Sequence, residues 1–363
     1  MGVVVYAQRP VLTVGGTNPQ YFDLPAAVAA AQPGSILECR PGVYTGFSTN
    51  KALRIVGKNV TIQPPAGADF AIDLQNLQGT VEFVVRGIHM DVIAGNLGAV
   101  RVRNTSAPVL IEGVNMYSLF GQPGLDVFNT NTVYVSRSIL VGSPGLRVDL
   151  ANFVSSENVV GSATGVGAVV TNSVFESVRT IFVGTDQTAL RISDSDARLS
   201  SDGSASLIVL GAPTVPVSSL ELVDSYLQFD PSRFVMIPAN GAAFVTEMNS
   251  VKVLDEVPCL TGGPAVLGQT ATARVTSGTP AIGVIAISWL RPVPLVLAST
   301  ALLIDLPSAV LATAGVVDQA GLMFGYDLPL DPNLRGEVFA FQALTLPAGG
   351  PTQISGAAIW YLE

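Results

Sequence analysis

Charge is scarce in this chain. Only 12% of its 363 residues are Asp, Glu, Lys or Arg, about half the usual share, and 27 acidic residues against 18 basic ones leave a formal charge of −9. That balance argues against nucleic acid as a partner, because such binding rests on cationic contacts to phosphate. A single histidine, His89, excludes imidazole metal clusters and any site needing two imidazoles, and a structural role is expected for it. Two cysteines, Cys39 and Cys259, make no disulfide framework and have no metal-ligand spacing, so both read as buried small hydrophobes. Mean hydropathy is +0.49, yet the most apolar stretch, Ile282 to Val317, is cut by Arg291, Pro292, Pro294, Asp305 and Pro307. No run reaches the ~20 residues of a membrane-spanning helix. Met1-Gly2-Val3-Val4-Val5-Tyr6 has no basic region before an apolar one, so no intact signal peptide is read there.

What is present is glycine, proline and short β-favouring runs. Helical periodicity is confined to Leu24 to Gln32, with Asp23 as N-cap, Pro25 in the first turn and Pro33-Gly34 as the stop. After it come runs of four to six residues separated by Gly, Pro, Asn, Asp and Ser, the pattern of an all-β chain. Small residues recur at Gly87, Gly113, Ser138, Asn158, Ser173, Ser195 and Ser225, and apolar starts at Phe70, Val100, Leu125, Leu146, Ala168 and Ala189. A repeat of about 23 residues marks a solenoid, so each set is expected to stack in one column, with the apolar positions, Ile139 among them, pointing inward. The residues preceding the small ones begin Arg86, Glu112, Arg137, Glu157, which sets opposite charges over one another and fixes register.

Phe22 to Tyr44, with its short helix and closing Pro41-Gly42-Val43-Tyr44, resembles the opening of the pectate-lyase-like right-handed β-helix superfamily. The resemblance covers residues 20–257 and implies a right-handed parallel β-helix with a helix capping its first coil. It says little about activity, since that fold hosts lyases, hydrolases, esterases, phage fibres and adhesins. Residues 1–19 read as an extended arm. Residues 258–363, with alternating runs at 270–276, 281–289, 301–306, 321–328, 337–346 and 356–362, read as an antiparallel β-sandwich expected to cover the last coil. Leu334 to Leu344 resembles carboxy-terminal modules of large secreted bacterial proteins, which implies a secreted or cell-surface location.

One cluster has the composition of a catalytic site. Asp194 and Asp196 share a strand face, Asp224 follows one coil later, and Arg179, Arg191 and Arg198 lie within reach. Polysaccharide lyases of the resembled fold hold calcium with carboxylates and use a basic residue as base, so Asp194, Asp196, Asp224 and Arg198 are the catalytic candidates and calcium is the metal such a set would take. The competing reading is a solvated bend with local ion pairs. Gly79 to Val85 resembles a pectin-methylesterase segment, with Glu82 at the acidic position, but a solenoid rung accounts for it. Tyr117, Phe120, Phe128 and Tyr134, on adjacent coils, are the candidates for a sugar-stacking platform. The favoured function is non-catalytic: surface structure, assembly or adhesion, with the apolar arm Met1 to Val14 expected either to fold back on its own solenoid or to dock on a neighbouring subunit and drive self-association. A lyase or hydrolase acting on an acidic polysaccharide is the alternative, and a glycan-binding module the third reading.

Overall fold

A computed structural model describes residues 9–92, 97–118, 121–255, 257–297, 300–304 and 306–362. It is an all-β chain: a parallel β-solenoid of about nine turns and two antiparallel sheets. Each coil contributes strands to three faces. On face A, Val11–Val14 pairs with Ile36–Cys39, and the stack runs through Val109–Glu112 and Val174–Val178 to Val251–Leu254. Face B runs from Gly42–Thr45 through Asn115–Ser118 and Ile139–Gly142 to Phe234–Ile237. Face C runs from Phe47–Thr49 through Gly98–Thr105 and Ala168–Thr171 to Val245–Met248.

Parallel, in-register pairing sets like positions over like, and the interior fills accordingly. Face A sends Phe83, Val109, Val133, Phe153, Phe175, Ala197 and Leu227 inward as one buried column. Phe153 and Phe175 stack with ring centroids 5.9 Å apart. The helix spans Leu24–Ala30; the Asp23 carboxylate accepts the Leu24 N–H at 2.8 Å and the Thr45 N–H at 2.9 Å, while Leu24, Ala27 and Val28 pack into the core. Tyr44 tucks its ring over Gly15, where a Cβ would stand 1.8 Å from the hydroxyl oxygen. Its hydroxyl donates to the Arg40 carbonyl at 2.7 Å. Of the expected arm, Val11–Val14 pairs within its own solenoid, whereas Met1–Gln8 lies outside the described residues.

The expected small-residue column is three short columns at two bends. Gly113 stands beside Arg137 rather than Ser138, because Glu112 pairs with Ser136; Ser138 and Asn158 lie one step further along the bend between faces A and B. Ser173, Ser195 and Ser225 belong to the bend between faces C and A. Both bends use a left-handed residue beside a small polar one, so their sequences look alike. The same offset inverts an orientation: Ile139 is half-buried and outward, while Leu140 is buried in line with Met116 and Val160. A one-residue slip turns every side chain to the other face.

At the C-to-A bend the serines form a ladder. The Oγ atoms of Ser173, Ser195, Ser225 and Ser250 accept the N–H groups of Ala151, Ser173, Ser195 and Ser225 at 3.1 to 3.2 Å. Each donates its own proton to the carbonyl two residues back. Asn172, Asp194, Asp224 and Asn249 precede them with φ of 48° to 51°. Ser195→Ala leaves the buried Ser173 N–H without its acceptor and is expected to lower unfolding stability by about 1–3 kcal/mol, read from the shift of the urea midpoint at constant slope. An unchanged midpoint would show that the ladder adds nothing to stability.

Charges form a second ladder at the A-to-B bend. Arg86 lies 3.5 Å from Glu112, Arg137 pairs with Glu112 and stands 3.9 Å from Glu157, and Arg179 bridges Glu157 at 2.9 Å and Asp202 at 3.4 Å. The Arg–Glu alternation read from the sequence is this ladder, continued by Arg179.

The carboxy-terminal part contains a sheet of Cys259–Gly262, Thr270–Thr276 and Leu322–Asp327, and a larger sheet built on Ala281–Leu297 and Val338–Pro347. Strands Val310–Val317 and Gln353–Ile354 join the larger sheet although the sequence reading missed them. Val275, Ile285, Phe341 and Trp360 fill the space between the sheets. Among the described residues no strand of this module pairs with the last coil, which it meets at one corner through Gln353 and Asp255. It lies along face A, where the outward column reads Val84, Leu110, Tyr134 and Val154 and packs on Leu302, Ile304, Val338, Ala340 and Ile359. That column is apolar, so water is excluded there rather than at the solenoid's end.

Candidate functional site

The C-to-A bend opens into a trough of about 710 Å³ lined by Asn129, Asn131, Asn152, Asn172, Asp194, Asp196, Asp224 and Tyr226. Three of the four catalytic candidates, Asp194, Asp196 and Asp224, therefore share one surface. Asp194 and Asp224 are exposed and carry the left-handed turns that launch the serine ladder, a role short polar side chains fill well. Asp196 follows on the next strand, in register with Val174 and Tyr226. Among the described residues no three His, Cys, Asp or Glu side chains are grouped so as to hold a metal ion.

Arg198, the fourth candidate, is elsewhere. It points out from face A into the contact with the module, almost fully buried, where its guanidinium donates to the Ile354 carbonyl at 2.5 Å and the Gln228 side chain at 3.3 Å and lies 3.8 Å from Glu176. Burial lowers its pKa, and Glu176 pulls in the opposite direction. The other two arginines expected near the acids are also engaged elsewhere: Arg179 in the charge ladder, Arg191 with Glu221 at 2.7 Å. Glu82 holds the fully buried Arg54.

The aromatic candidates are not brought together. Tyr134 is on face A, buried under the module with its hydroxyl donating to the Ala357 carbonyl at 3.2 Å. Tyr117 is on face B beside His89, ring centroids 5.6 Å apart. Phe128 is exposed on face C, and Phe120 lies outside the described residues. Residues on adjacent coils share a platform only if they share a face, and these occupy three. Both cysteines are free and buried, and burial pushes each thiol up to about 12.

Two features went unread in the sequence. One is the apolar outward column on face A, whose signal was the unbroken apolar run of Phe83-Val84-Val85 and of Val109-Leu110-Ile111, where a solvated face would alternate. The other is the far end of the solenoid. Phe234–Ile237, Val245–Met248 and Val251–Leu254 each pair on one side only among the described residues, and Val235, Ile237, Phe244, Met248, Val251 and Leu254 are exposed. No helix among the described residues is long and apolar enough to cross a membrane. Compared with protein families and with curated proteins, the chain matches none: no family model and no curated protein aligns with it.

Proposed function

We propose that this chain is a non-catalytic structural, assembly or adhesion protein that works outside the cell, on a β-helix of the pectate-lyase-like kind. The observation that carries the reading is the uncovered last coil. Three parallel strand edges and six large apolar side chains stand open at one end of the solenoid, and an edge of that kind pairs with another chain unless it is blunted. Among the described residues neither the helix nor the face-A module pairs with those strand edges, so the partner surface is directional. A lyase or hydrolase reading has less support, because Asp194 and Asp224 serve the turn geometry and Arg198 is committed to the module contact. A glycan-binding reading is weakened by the dispersal of Tyr117, Phe128 and Tyr134 over three faces.

The test is assembly of the full chain. Light scattering and negative-stain microscopy across a concentration series are expected to reveal particles of two or more copies. A Met248→Lys, Val251→Lys double variant, placing charge on exposed edge positions, is expected to return them to single copies with unchanged circular dichroism. A chain that stays monomeric throughout the series would overturn self-assembly.

A further inference from the structure

We propose that the last coil receives the last coil of a second copy, in a closed tail-to-tail pair whose geometry is set by Glu247 and Lys252. This rests on the assembly reading above and names the partner at that surface. In the coil before, the inward positions on faces C and A are Leu222 and Leu227, both fully buried in the core. In the last coil Glu247 stands in register with Leu222, and Lys252 with Leu227. The two side chains meet across the mouth of the core, with the Lys252 Nζ 3.3 Å from the Glu247 carboxylate. Leu254, in register with the buried Phe229, is 60% exposed, and Met248 and Val251, next to the charged pair in sequence, are exposed as well. The end face therefore carries one cation and one anion within an apolar surround.

The partner follows from charge and symmetry. A stack continued head to tail would lay this face on the first coil of another copy. That coil is closed by the helix Leu24–Ala30, whose exposed positions are Ala26, Ala29 and Ala30. The carbonyl end of the helix is already taken by the Lys51 Nζ, which donates to the carbonyls of Val28, Ala29 and Ala31 at 2.7 to 3.1 Å. Alanines offer an ion pair nothing in exchange for its lost water, and enclosing charge without new partners is costly. A second last coil does offer them. A twofold axis through the midpoint of the pair, perpendicular to the line from Lys252 to Glu247, sets Lys252 of each copy over Glu247 of the other, so every charge gains one of opposite sign. The same operation reverses the sense of the coil, and the open strand edges of the two copies meet antiparallel. An interface of this kind is isologous and consumes the end from which it is built, so assembly closes at two copies.

Analytical ultracentrifugation of the full chain over a concentration series tests this. The expected particle has two copies and stays at two as concentration rises. Glu247→Lys and, separately, Lys252→Glu set like charges over one another and are each expected to weaken association at least about tenfold, while an equimolar mixture of the two variants, in which every cross-chain contact is again opposite in sign, should associate as tightly as the unmodified chain. Both side chains reach water in a single copy, Glu247 45% and Lys252 24% exposed, and unchanged circular dichroism would show that each variant is folded. A mixture that stays dissociated overturns the proposal, as does either single variant that associates like the unmodified chain. The neutral changes Glu247→Gln and Lys252→Gln are expected to weaken association in the same direction, and a pair unaffected by both overturns the proposal too. Assembly that grows past two copies overturns the closed pair but leaves self-assembly through the last coil standing. A chain that is monomeric at every concentration overturns both.

Discussion

Arg198→Ala is expected to lower unfolding stability by about 3–5 kcal/mol, a large part of the margin of most folded domains. The reason is what remains after the guanidinium is gone. Glu176 and Arg198 are side chains on neighbouring coils, 4% and 2% exposed for Arg198 and Glu176 respectively, 3.8 Å apart. Removing the cation leaves a carboxylate enclosed between the solenoid and the module, and the Ile354 carbonyl loses its donor. The contact joins residues 156 positions apart in sequence, so the loss should be felt as detachment of the module from face A. Urea unfolding monitored by tryptophan fluorescence reads the effect, since both tryptophans, Trp289 and Trp360, are in the module. If Arg198→Ala shifted the midpoint no more than an exposed substitution does, the buried pair would have no part in holding the module. Replacing both partners together, Glu176→Met with Arg198→Met, should cost less than the single change, because the buried carboxylate is then removed along with the cation that faced it.

The second large effect separates two adjacent residues. Leu140→Asp is expected to abolish folding, while Ile139→Asp should fold. Leu140 is 1% exposed and stacked between Met116 and Val160 of the neighbouring coils; a carboxylate there has no partner and costs several kcal/mol. Ile139 stands outward and half-buried on the same strand, so its replacement loses part of one side chain's burial, about 1 kcal/mol. Soluble yield and far-ultraviolet circular dichroism of the two variants suffice. The reverse outcome, a folded Leu140→Asp beside an unfolded Ile139→Asp, would place the register one residue away from the one described.

That pair also shows where sequence reading reaches its limit. The repeat near 23 residues, the helix after Asp23, the Arg–Glu alternation and the antiparallel character of the last hundred residues were all legible, because each depends on neighbours in sequence or on a fixed coil length. The bends were not. A left-handed residue followed by a small polar one occurs at Arg137-Ser138 and at Asp194-Ser195, at different corners of the coil, and the local chemistry is the same at both. The one-residue slip arose at the A-to-B bend itself, where Ser138 was set over Gly87 and Gly113 although Gly113 stands beside Arg137; that was enough to turn Ile139 inward and Leu140 outward in the sequence alignment.

The candidate site divides along the same line. Coil spacing set Asp224 over Asp194, but Asp194 and Asp196 do not share a strand: Asp194 is the left-handed turn residue before Asp196–Ser200, and the bend rather than strand alternation brings the two to one surface. That Arg198 is buried away from them, that Tyr134 is covered rather than exposed, and that the strand edges of the last coil are unpaired among the described residues all depend on where the module docks. By itself the sequence determined the kind of fold: low charge, short β runs and a coil-length repeat leave a stacked parallel solenoid as the arrangement that buries the apolar positions. Only the tertiary structure decided which outward face is covered, because contacts such as Tyr134 with Ala357 join residues 223 positions apart. The energy of that contact is spread over Val84, Leu110, Tyr134 and Val154, one side chain from each of four coils, and they become a single apolar surface only once the coils are stacked.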